Sequence, residues 1–150
     1  MNMKNDIDTS ILNNLIYGRV FPQIYAFKTN TIPNYLKIGD TYRPLETRIK
    51  EWRLKYPNLE LTLNKNAFVN ENVYFRDYSV HKYLMNEGKK RLTIDDLKKI
   101  NRNLYYSDEF FENTTIQDVE EAIDDIIDNY PSSIYDYYSI HNPSVPQEIK

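Results

Sequence analysis

The sequence predicts an α/β fold: a small three-stranded sheet, mixed or antiparallel, flanked by helices and followed by a helical C-terminal extension. Three observations support this prediction. Short apolar runs with the alternation typical of strands lie between residues 23 and 63. Longer segments repeat apolar residues at the spacing of an amphipathic helix. With 150 residues and no cysteine, the chain is expected to form one domain with extensions, without disulfide bonds or cysteine zinc sites.

The N-terminal part contains a helix, two strands and a second helix. Residues 1–22 are predicted to hold a short amphipathic helix, because apolar residues recur at helical spacing: Ile11, Leu12, Leu15 and Ile16. Strands follow at residues 23–29 and 35–39, with a turn between them. A helix over residues 44–55 begins at Pro44, whose missing N–H has no helical partner in a first turn.

The middle of the chain adds a third strand and another helix. Residues 59–63 alternate apolar and polar side chains, which predicts a strand with one buried face. A helix over residues 71–85 would place four side chains on one face: Tyr74, Asp77, Tyr78 and His81. A turn with a basic cluster follows around Gly88.

The C-terminal part is predicted to be mostly helical. Residues 93–101 form a short helix in this prediction, with Leu97 and Ile100 facing inward. Residues 109–111 are expected to form a brief strand or an extended packing segment. Residues 131–150 show no clear periodicity, which indicates a tail or a linker into a further domain of a longer protein.

A longer helix is predicted to begin near Thr115. Thr115 and Asp118 resemble a capping box, with Asp where Glu or Gln is usual. Apolar residues then form one stripe: Ile116, Val119, Ala122, Ile123, Ile126 and Ile127. The acidic residues of this helix occupy its opposite, solvated face. The predicted organisation is an N-terminal helix (1–22), a core (23–92), an acidic helical extension packed on the core (93–130) and the tail (131–150).

Charge is distributed unevenly along the chain. The net charge is −3, but residues 19–91 hold 14 Lys and Arg against 7 Asp and Glu, whereas residues 92–150 hold 4 against 13. A basic segment attracts phosphate groups through counterion release. The alternative is that the two segments are simply two solvated faces of one domain.

Six residues form an ordered set across the predicted core. Tyr25 ends a Gln-Ile-Tyr triplet, and Lys37 opens a Lys-Ile-Gly triplet on the next strand. The members, in order, are Tyr25, Lys37, Gly39, Arg48, Asp77 and His81. This set resembles the GIY-YIG nuclease family, in the branch with a KIG triplet that includes N-terminal modules of helicase-type restriction and phage-defence proteins. The resemblance covers residues 23–92, with Gln for the first Gly, Lys for the leading Tyr and Asp for the usual Glu.

The resemblance implies phosphodiester hydrolysis with distinct roles for these side chains. Tyr25 would take or relay the proton of the attacking water, with Lys37 supplying positive charge or acting as the base itself. Arg48 would hold the scissile phosphate with two hydrogen bonds, and Arg43 would make a second phosphate contact. On composition alone, a core tyrosine and a lysine with an exposed ammonium group are the simpler interpretation.

The resemblance also implies a metal site. Asp77 would bind Mg²⁺ or Mn²⁺ together with water and phosphate oxygens. The alternative is a surface carboxylate paired to Arg76 or Lys82 in its own helix. His81 would orient Asp77 or contact phosphate, although a structural histidine is an equally good interpretation.

Two further residues are assigned to substrate binding. Gly39 would permit a close approach of the backbone after its strand. The family often carries His or Tyr one turn after its arginine, but Trp52 stands at that place here and cannot act as a base, so either this role is absent or another tyrosine, such as Tyr42, fills it.

The expected function is a metal-dependent DNA endonuclease within a restriction or defence protein, in which a helicase or another domain would be its partner. One alternative is a catalytically silent DNA-binding module of the same fold, and another is a protein-interaction adaptor that uses the acidic helix. No apolar run approaches the roughly 20 residues of a membrane span and no signal peptide is visible, so a cytoplasmic location is expected.

Overall fold

The structure is a computed structural model that describes residues 22–100, 102–103, 105 and 107–139, and the backbone of residues 147–149. The predicted N-terminal helix lies outside the described residues. The α/β class is confirmed.

The helices are α1 (Leu45–Arg53), α2 (Asp77–Asn86), α3 (Ile94–Ile100) and α4 (Ile116–Asp128). The strands are β1 (Gln23–Lys28), β2 (Tyr35–Thr41), β3 (Glu60–Asn66), β4 (Phe68–Asn70), β5 (Val73–Tyr74), β6 (Phe110–Glu112), β7 (Tyr137–Ser139) and β8 (Gln147–Ile149).

The first sheet contains the three predicted strands and one more. Its order is β3-β1-β2-β6, and every neighbouring pair is antiparallel. The predicted count of three strands is wrong, because β6 pairs with the free edge of β2 and places Lys37 opposite Phe110. The brief strand expected at residues 109–111 is therefore present, shifted by one residue.

A second antiparallel sheet, in the order β4-β5-β7-β8, was not predicted. It corrects two predictions. The helix expected over residues 71–85 begins only at Asp77, because Val73 and Tyr74 pair with β4 and with Ser139 and Tyr138 of β7. The segment 131–150, expected to be a tail or linker, contributes β7 and β8 to this sheet. Strands of two or three residues are too short to show a period of two.

The helices follow the apolar spacing of the sequence. Helix α1 begins after Pro44 and buries Ile49 and Trp52. Helix α4 has the predicted capping box: the backbone N–H of Asp118 donates to the Thr115 hydroxyl over 3.1 Å, and the N–H of Thr115 donates back to the Asp118 carboxylate over 2.8 Å. In α3 the inward position of Leu97 is confirmed, but Ile100 is 40 % exposed, so its predicted inward orientation is wrong.

Two apolar clusters cover the two faces of the first sheet. Ile24 and Ala26 of β1 belong to the cluster that α4 closes, whereas Tyr25 and Phe27 belong to the cluster under α1. Successive residues of β1 thus point to opposite faces of the sheet, and both faces are buried. Among the residues that the structure describes, no helix combines the length and apolar character that a membrane span needs.

Candidate active site

Tyr25 and Lys37 project from the same face of the first sheet, toward α1. The register of β1 and β2 places Tyr25 opposite Gly39 and Phe27 opposite Lys37, so alternate residues of the two strands share a face. Both side chains are fully buried. The Lys37 ammonium nitrogen lies 3.8 Å from the centroid of the Trp52 ring and 5.3 Å from that of Tyr25. An aromatic face is a favourable partner for a desolvated cation.

The hydroxyl of Tyr25 is held by α1. The indole N–H of Trp52 donates to it over 2.7 Å, and Arg48 also hydrogen-bonds to it. The Arg48 guanidinium carbon lies 4.9 Å from the centroid of the Trp52 ring. Burial raises the pKa of Tyr25 above its ordinary value, although Arg48 and the Trp52 hydrogen bond act against this. Tyr25 is therefore a neutral, oriented hydroxyl in this state rather than a ready proton acceptor.

Lys37 forms a buried ion pair with Glu109, a residue that the sequence analysis did not identify. Glu109 precedes β6, and its carbonyl accepts the backbone N–H of Ile38 over 2.9 Å, which fixes it beside β2. Burial lowers the pKa of Lys37, while the carboxylate of Glu109 acts to raise it. Burial alone would raise the pKa of Glu109, but the ammonium of Lys37 holds that pKa below its usual value. Each side chain of this pair therefore stabilises the charged form of the other.

Asp77, His81 and Glu109 form a compact group, here called the Asp–His–Glu cluster. One potential ligand atom from each lies within 4.8 Å of the other two. Asp77 is the first residue of α2 and His81 follows one turn later, so one face of α2 supplies two members. Both are nearly inaccessible to solvent, whereas the Glu109 side chain is 23 % exposed and connects the cluster to the surface.

The tautomer of His81 follows from its hydrogen bond. Nε2 lies 2.8 Å from the carbonyl oxygen of Ile38, and because a carbonyl only accepts, Nε2 carries the proton. Burial lowers the pKa of His81, so the ring is neutral and Nδ1 is its acceptor atom. The ring also packs 5.2 Å from the centroid of Phe111. These contacts fix the orientation of the imidazole.

The carboxyl group of Asp77 holds a proton near neutral pH. Burial, followed by the neighbouring carboxylates of Asp40 and Glu109, raises the pKa of Asp77 to about 9. The paired arginine expected as an alternative is engaged elsewhere: Arg76 donates to both oxygens of Asp40, over 2.7 and 3.1 Å. Asp40 also accepts the backbone N–H of Asp77 over 2.9 Å and so fixes the start of α2. Asp40 was missed by the sequence analysis.

A cavity of about 290 Å³ opens beside Glu109, and its wall comes from α1 and the segment before β6: Arg48, Trp52, Tyr105, Ser107, Asp108 and Glu109. Arg48 and Glu109 thus face the same space. A larger groove of about 850 Å³ lies at the opposite end of β1 and β2, where Lys28 and Glu60 are the charged residues of its lining. The smaller cavity is the better candidate site because titratable groups converge beneath it.

The three predicted substrate-binding residues take different positions. Gly39 faces Tyr25 and Glu109: an added methyl group would be 2.7 Å from the Tyr25 hydroxyl oxygen and 3.0 Å from Glu109 Oε1. Arg43 is exposed at the outer end of α1. Tyr42 instead contacts the second sheet: its ring lies 6.2 Å from that of Tyr74, and its hydroxyl is buried there.

Arg43 and Arg48 share one carboxylate. Both terminal nitrogens of Arg43 donate to Glu51 over 2.7 Å, and Arg48 donates to the same group over 3.0 Å. Hydrogen bonds from Arg43 and Arg48 lower the pKa of Glu51 to about 2. The two arginines that the sequence assigns to phosphate therefore hold an anionic group of the chain itself.

Comparison with known proteins finds no matching family model, no matching curated protein and no matching solved structure.

Proposed function

We propose that this chain is a metal-dependent DNA endonuclease. One observation carries the proposal: Arg48 and Glu109 line the same cavity. Arg48 can hold a phosphate, and Glu109 belongs to the Asp–His–Glu cluster and forms an ion pair with Lys37. Phosphodiester hydrolysis needs a phosphate anchor, neutralisation of developing charge and a route for one proton. These three functions meet here within one small space.

Arg48 is the proposed phosphate anchor. Its guanidinium is stacked on Trp52 and bonded to Tyr25, so its position is set by α1 and β1 together. A planar guanidinium can hold two phosphate oxygens at once, and in this site it would do so from a pre-oriented position.

Lys37 is the better candidate for the proton transfer. Burial makes its ammonium lose a proton more readily than an ordinary lysine does, whereas burial makes the hydroxyl of Tyr25 lose its proton less readily. Lys37 would take the proton of the attacking water as the neutral amine, after its ammonium has passed its own proton to Glu109, and Tyr25 would orient, by hydrogen bonding, the water that Lys37 deprotonates. Of the two alternatives that the sequence leaves open, we therefore propose Lys37 as the base.

The residues present fit a divalent cation, Mg²⁺ or Mn²⁺, with Asp77 as its principal ligand. The donor atoms are carboxylate oxygens and one imidazole nitrogen, and they sit beneath a cavity that Arg48 also lines. When bound, such an ion supplies neutralisation of charge on the phosphate. Arg48 contributes further positive charge from the wall of the cavity.

The proposal is tested by nicking of supercoiled plasmid with Mg²⁺ or Mn²⁺, with and without a chelator. Asp77→Asn should abolish cleavage and leave DNA binding intact, because it removes a carboxylate and keeps the size of the side chain. Asp124→Asn, on the exposed face of α4, is the matched control and should cleave as the wild type does. Equal nicking by the wild type and Asp77→Asn would exclude Asp77 as a metal ligand.

A DNA-binding module without cleavage is the second candidate. It is favoured by the hydrogen bond that Trp52 donates to Tyr25 and by the closed ion pair of Lys37 with Glu109, because both candidate proton acceptors are already engaged. Wild-type protein that binds DNA in a strongly salt-dependent way but never nicks it would support this candidate. Absence of DNA binding would leave the adaptor as the remaining hypothesis.

A further inference from the structure

We propose that the Asp–His–Glu cluster is a three-ligand site that selects a transition-metal ion of the Mn²⁺ and Co²⁺ class over Mg²⁺, with Asp77, Glu109 and the Nδ1 atom of His81 as ligands. The inference deepens the proposed nuclease function and rests on it only for the catalytic use of the ion. Binding of the ion itself is a property of these side chains and can be measured without any substrate.

The spacing of the three donor atoms suits one ion. Ligand atoms about 2.0–2.2 Å from a metal are at most about 4.4 Å from one another. Three atoms bound to one ion lie on average no more than about 3.8 Å apart, and one donor atom from each of the three residues lies within 4.8 Å of the other two, so movements of up to about 1 Å bring them into coordination. Glu109 is on the accessible side, which gives the ion a path from the cavity.

The nitrogen donor decides the class of metal. Mg²⁺ prefers oxygen ligands and keeps several waters, whereas imidazole nitrogen suits first-row transition metals. His81 donates its Nε2 proton to the carbonyl of Ile38 over 2.8 Å, and Phe111 packs against the ring. A ligating histidine is commonly held by such an outer hydrogen bond, which fixes the tautomer and directs the other nitrogen at the metal.

The charges around the cluster leave room for a cation. Arg76 and Asp40 neutralise each other through two hydrogen bonds. The remaining pair of carboxyl groups, Asp77 and Glu109, faces one ammonium, that of Lys37. With both carboxyl groups ionised the site is one positive charge short. A divalent ion reverses this to one positive charge in excess, which matches the single negative charge of a phosphodiester.

Lys37 is compatible with this site as an outer partner. Its ammonium contacts Oε1 of Glu109, so Oε2 is the oxygen that can turn to an ion. Gly39 leaves the space that this arrangement needs, since a methyl group there would lie 3.0 Å from the same Oε1 atom. The lysine would thus hold the carboxylate in place as Ile38 holds the imidazole.

The experiment is a titration of the full chain with Mn²⁺, followed by calorimetry and by the electron paramagnetic resonance signal of the free ion, with Mg²⁺ as competitor. We expect one Mn²⁺ per chain, displaced only by a large excess of Mg²⁺. Asp77→Asn and Glu109→Gln should weaken Mn²⁺ binding by at least about 100-fold, because loss of even an outer-shell partner costs about 10- to 100-fold, and Asp124→Asn should leave it unchanged. Absence of stoichiometric binding in the wild type would overturn the proposal.

The role of His81 is tested on the wild type as well as on a variant. Pulsed electron paramagnetic resonance of bound Mn²⁺ should show coupling to one imidazole nitrogen, which needs no substitution and therefore no assumption about folding. His81→Gln, checked by circular dichroism, should lose the nitrogen coupling and most of the preference for Mn²⁺ over Mg²⁺. Binding of Mn²⁺ without nitrogen coupling would overturn the three-ligand site. Cleavage supported equally by Mg²⁺ would still leave the proposed function in place.

Discussion

Gly39 lies directly opposite Tyr25 in the β1–β2 register, and a methyl group at Gly39 would be 2.7 Å from the Tyr25 hydroxyl oxygen and 2.9 Å from the adjacent ring carbon. Both distances are shorter than any ordinary contact. The glycine therefore lets the ring of Tyr25 lie across the backbone of β2, where its hydroxyl reaches Trp52 and Arg48. The position of the hydroxyl between Trp52 and Arg48 depends on the absence of a side chain at Gly39.

Gly39→Ala is expected to destabilise the fold by about 1–3 kcal/mol, because overpacking forces Tyr25 out of its position. The Tyr25→Phe background should reduce this cost, since the nearest atom is then missing, although the ring carbon remains. Gly88→Ala is the control: Gly88 has φ of 91° with nothing within 4 Å of an added Cβ, so its cost is backbone strain alone. Urea unfolding of the four variants and wild type measures the coupling. Equal costs of Gly39→Ala in both backgrounds would contradict the proposed contact.

The longer elements of the fold were predictable because their periodicity extends over several residues. β1, β2 and β3 alternate or run apolar, and α1 and α4 carry stripes that the structure buries. The second sheet was not predictable. Its strands have three residues or fewer, and β5 meets β7 only because segments more than 60 residues apart come together. Long-range pairing of short strands leaves no local pattern in the sequence.

The candidate site was predictable in part. The ordered motif located Tyr25 and Lys37 on adjacent strands, and the structure places them on one face. Glu109 was missed because it lies outside any motif and becomes part of the site only through the pairing of β6 with β2. Asp40 offered a signal, because it is a carboxylate that directly follows the Lys-Ile-Gly triplet of the motif. Glu109 was harder to find for a second reason: it belongs to the acidic segment, whereas the other candidate site residues lie in the basic segment.

Removal of the Glu51 carboxylate should tighten DNA binding. Glu51 accepts hydrogen bonds from both Arg43 and Arg48, so it competes with phosphate for the same donors. We expect Glu51→Gln to bind a short duplex about 3- to 10-fold more tightly at low salt, an effect that shrinks as salt rises. Glu46→Gln removes the same charge from the exposed first turn of α1 and is the matched control. Equal gains from both variants would reduce the effect to net charge.

The stability of the metal-free protein should depend on Asp77 through pH. Its folded-state pKa of about 9 is higher than the ordinary value of 3.8, so the folded state holds a proton that the unfolded chain has released. The resulting stabilisation is complete below the unfolded pKa and is lost as the pH rises toward 9. The free energy of unfolding should therefore fall by up to about 1.4 kcal/mol per pH unit between neutral pH and 9.

Denaturant unfolding in a chelating buffer at several pH values measures this slope. Asp77→Asn, which cannot ionise, should lose most of the slope and should be more stable than the wild type at pH 9. Asp124→Asn should keep the wild-type slope. Parallel curves for the wild type and Asp77→Asn would show that the carboxyl group of Asp77 is already ionised in the folded state.

The acidic face of α4 should weaken DNA binding at a distance. Its apolar stripe is part of the core, so deletion of the helix would unfold the protein rather than test its charge. Three exposed acids can instead be neutralised together: Glu121→Gln, Asp124→Asn and Asp128→Asn. Affinity should rise by about 3-fold in 50 mM salt and by little in 500 mM, because the Debye length shortens. An unchanged affinity at low salt would show that the helix faces away from the bound DNA.

Arg48→Lys should separate geometry from charge at the phosphate anchor. The guanidinium of Arg48 bonds to Tyr25 and Glu51 and stacks on Trp52, and an ammonium group cannot make these contacts and bind two phosphate oxygens in one plane. Loss of one pre-oriented donor to developing charge typically costs about 10²–10³ in rate. We expect a loss of this size in single-turnover nicking, with DNA affinity changed only slightly because the charge is retained.

Arg53→Lys, at the exposed end of the same helix, keeps the same net charge and should cleave at the wild-type rate. A wild-type rate for Arg48→Lys would show that the anchor needs only positive charge, whereas an equal loss in both variants would point to damage to α1 rather than to the site.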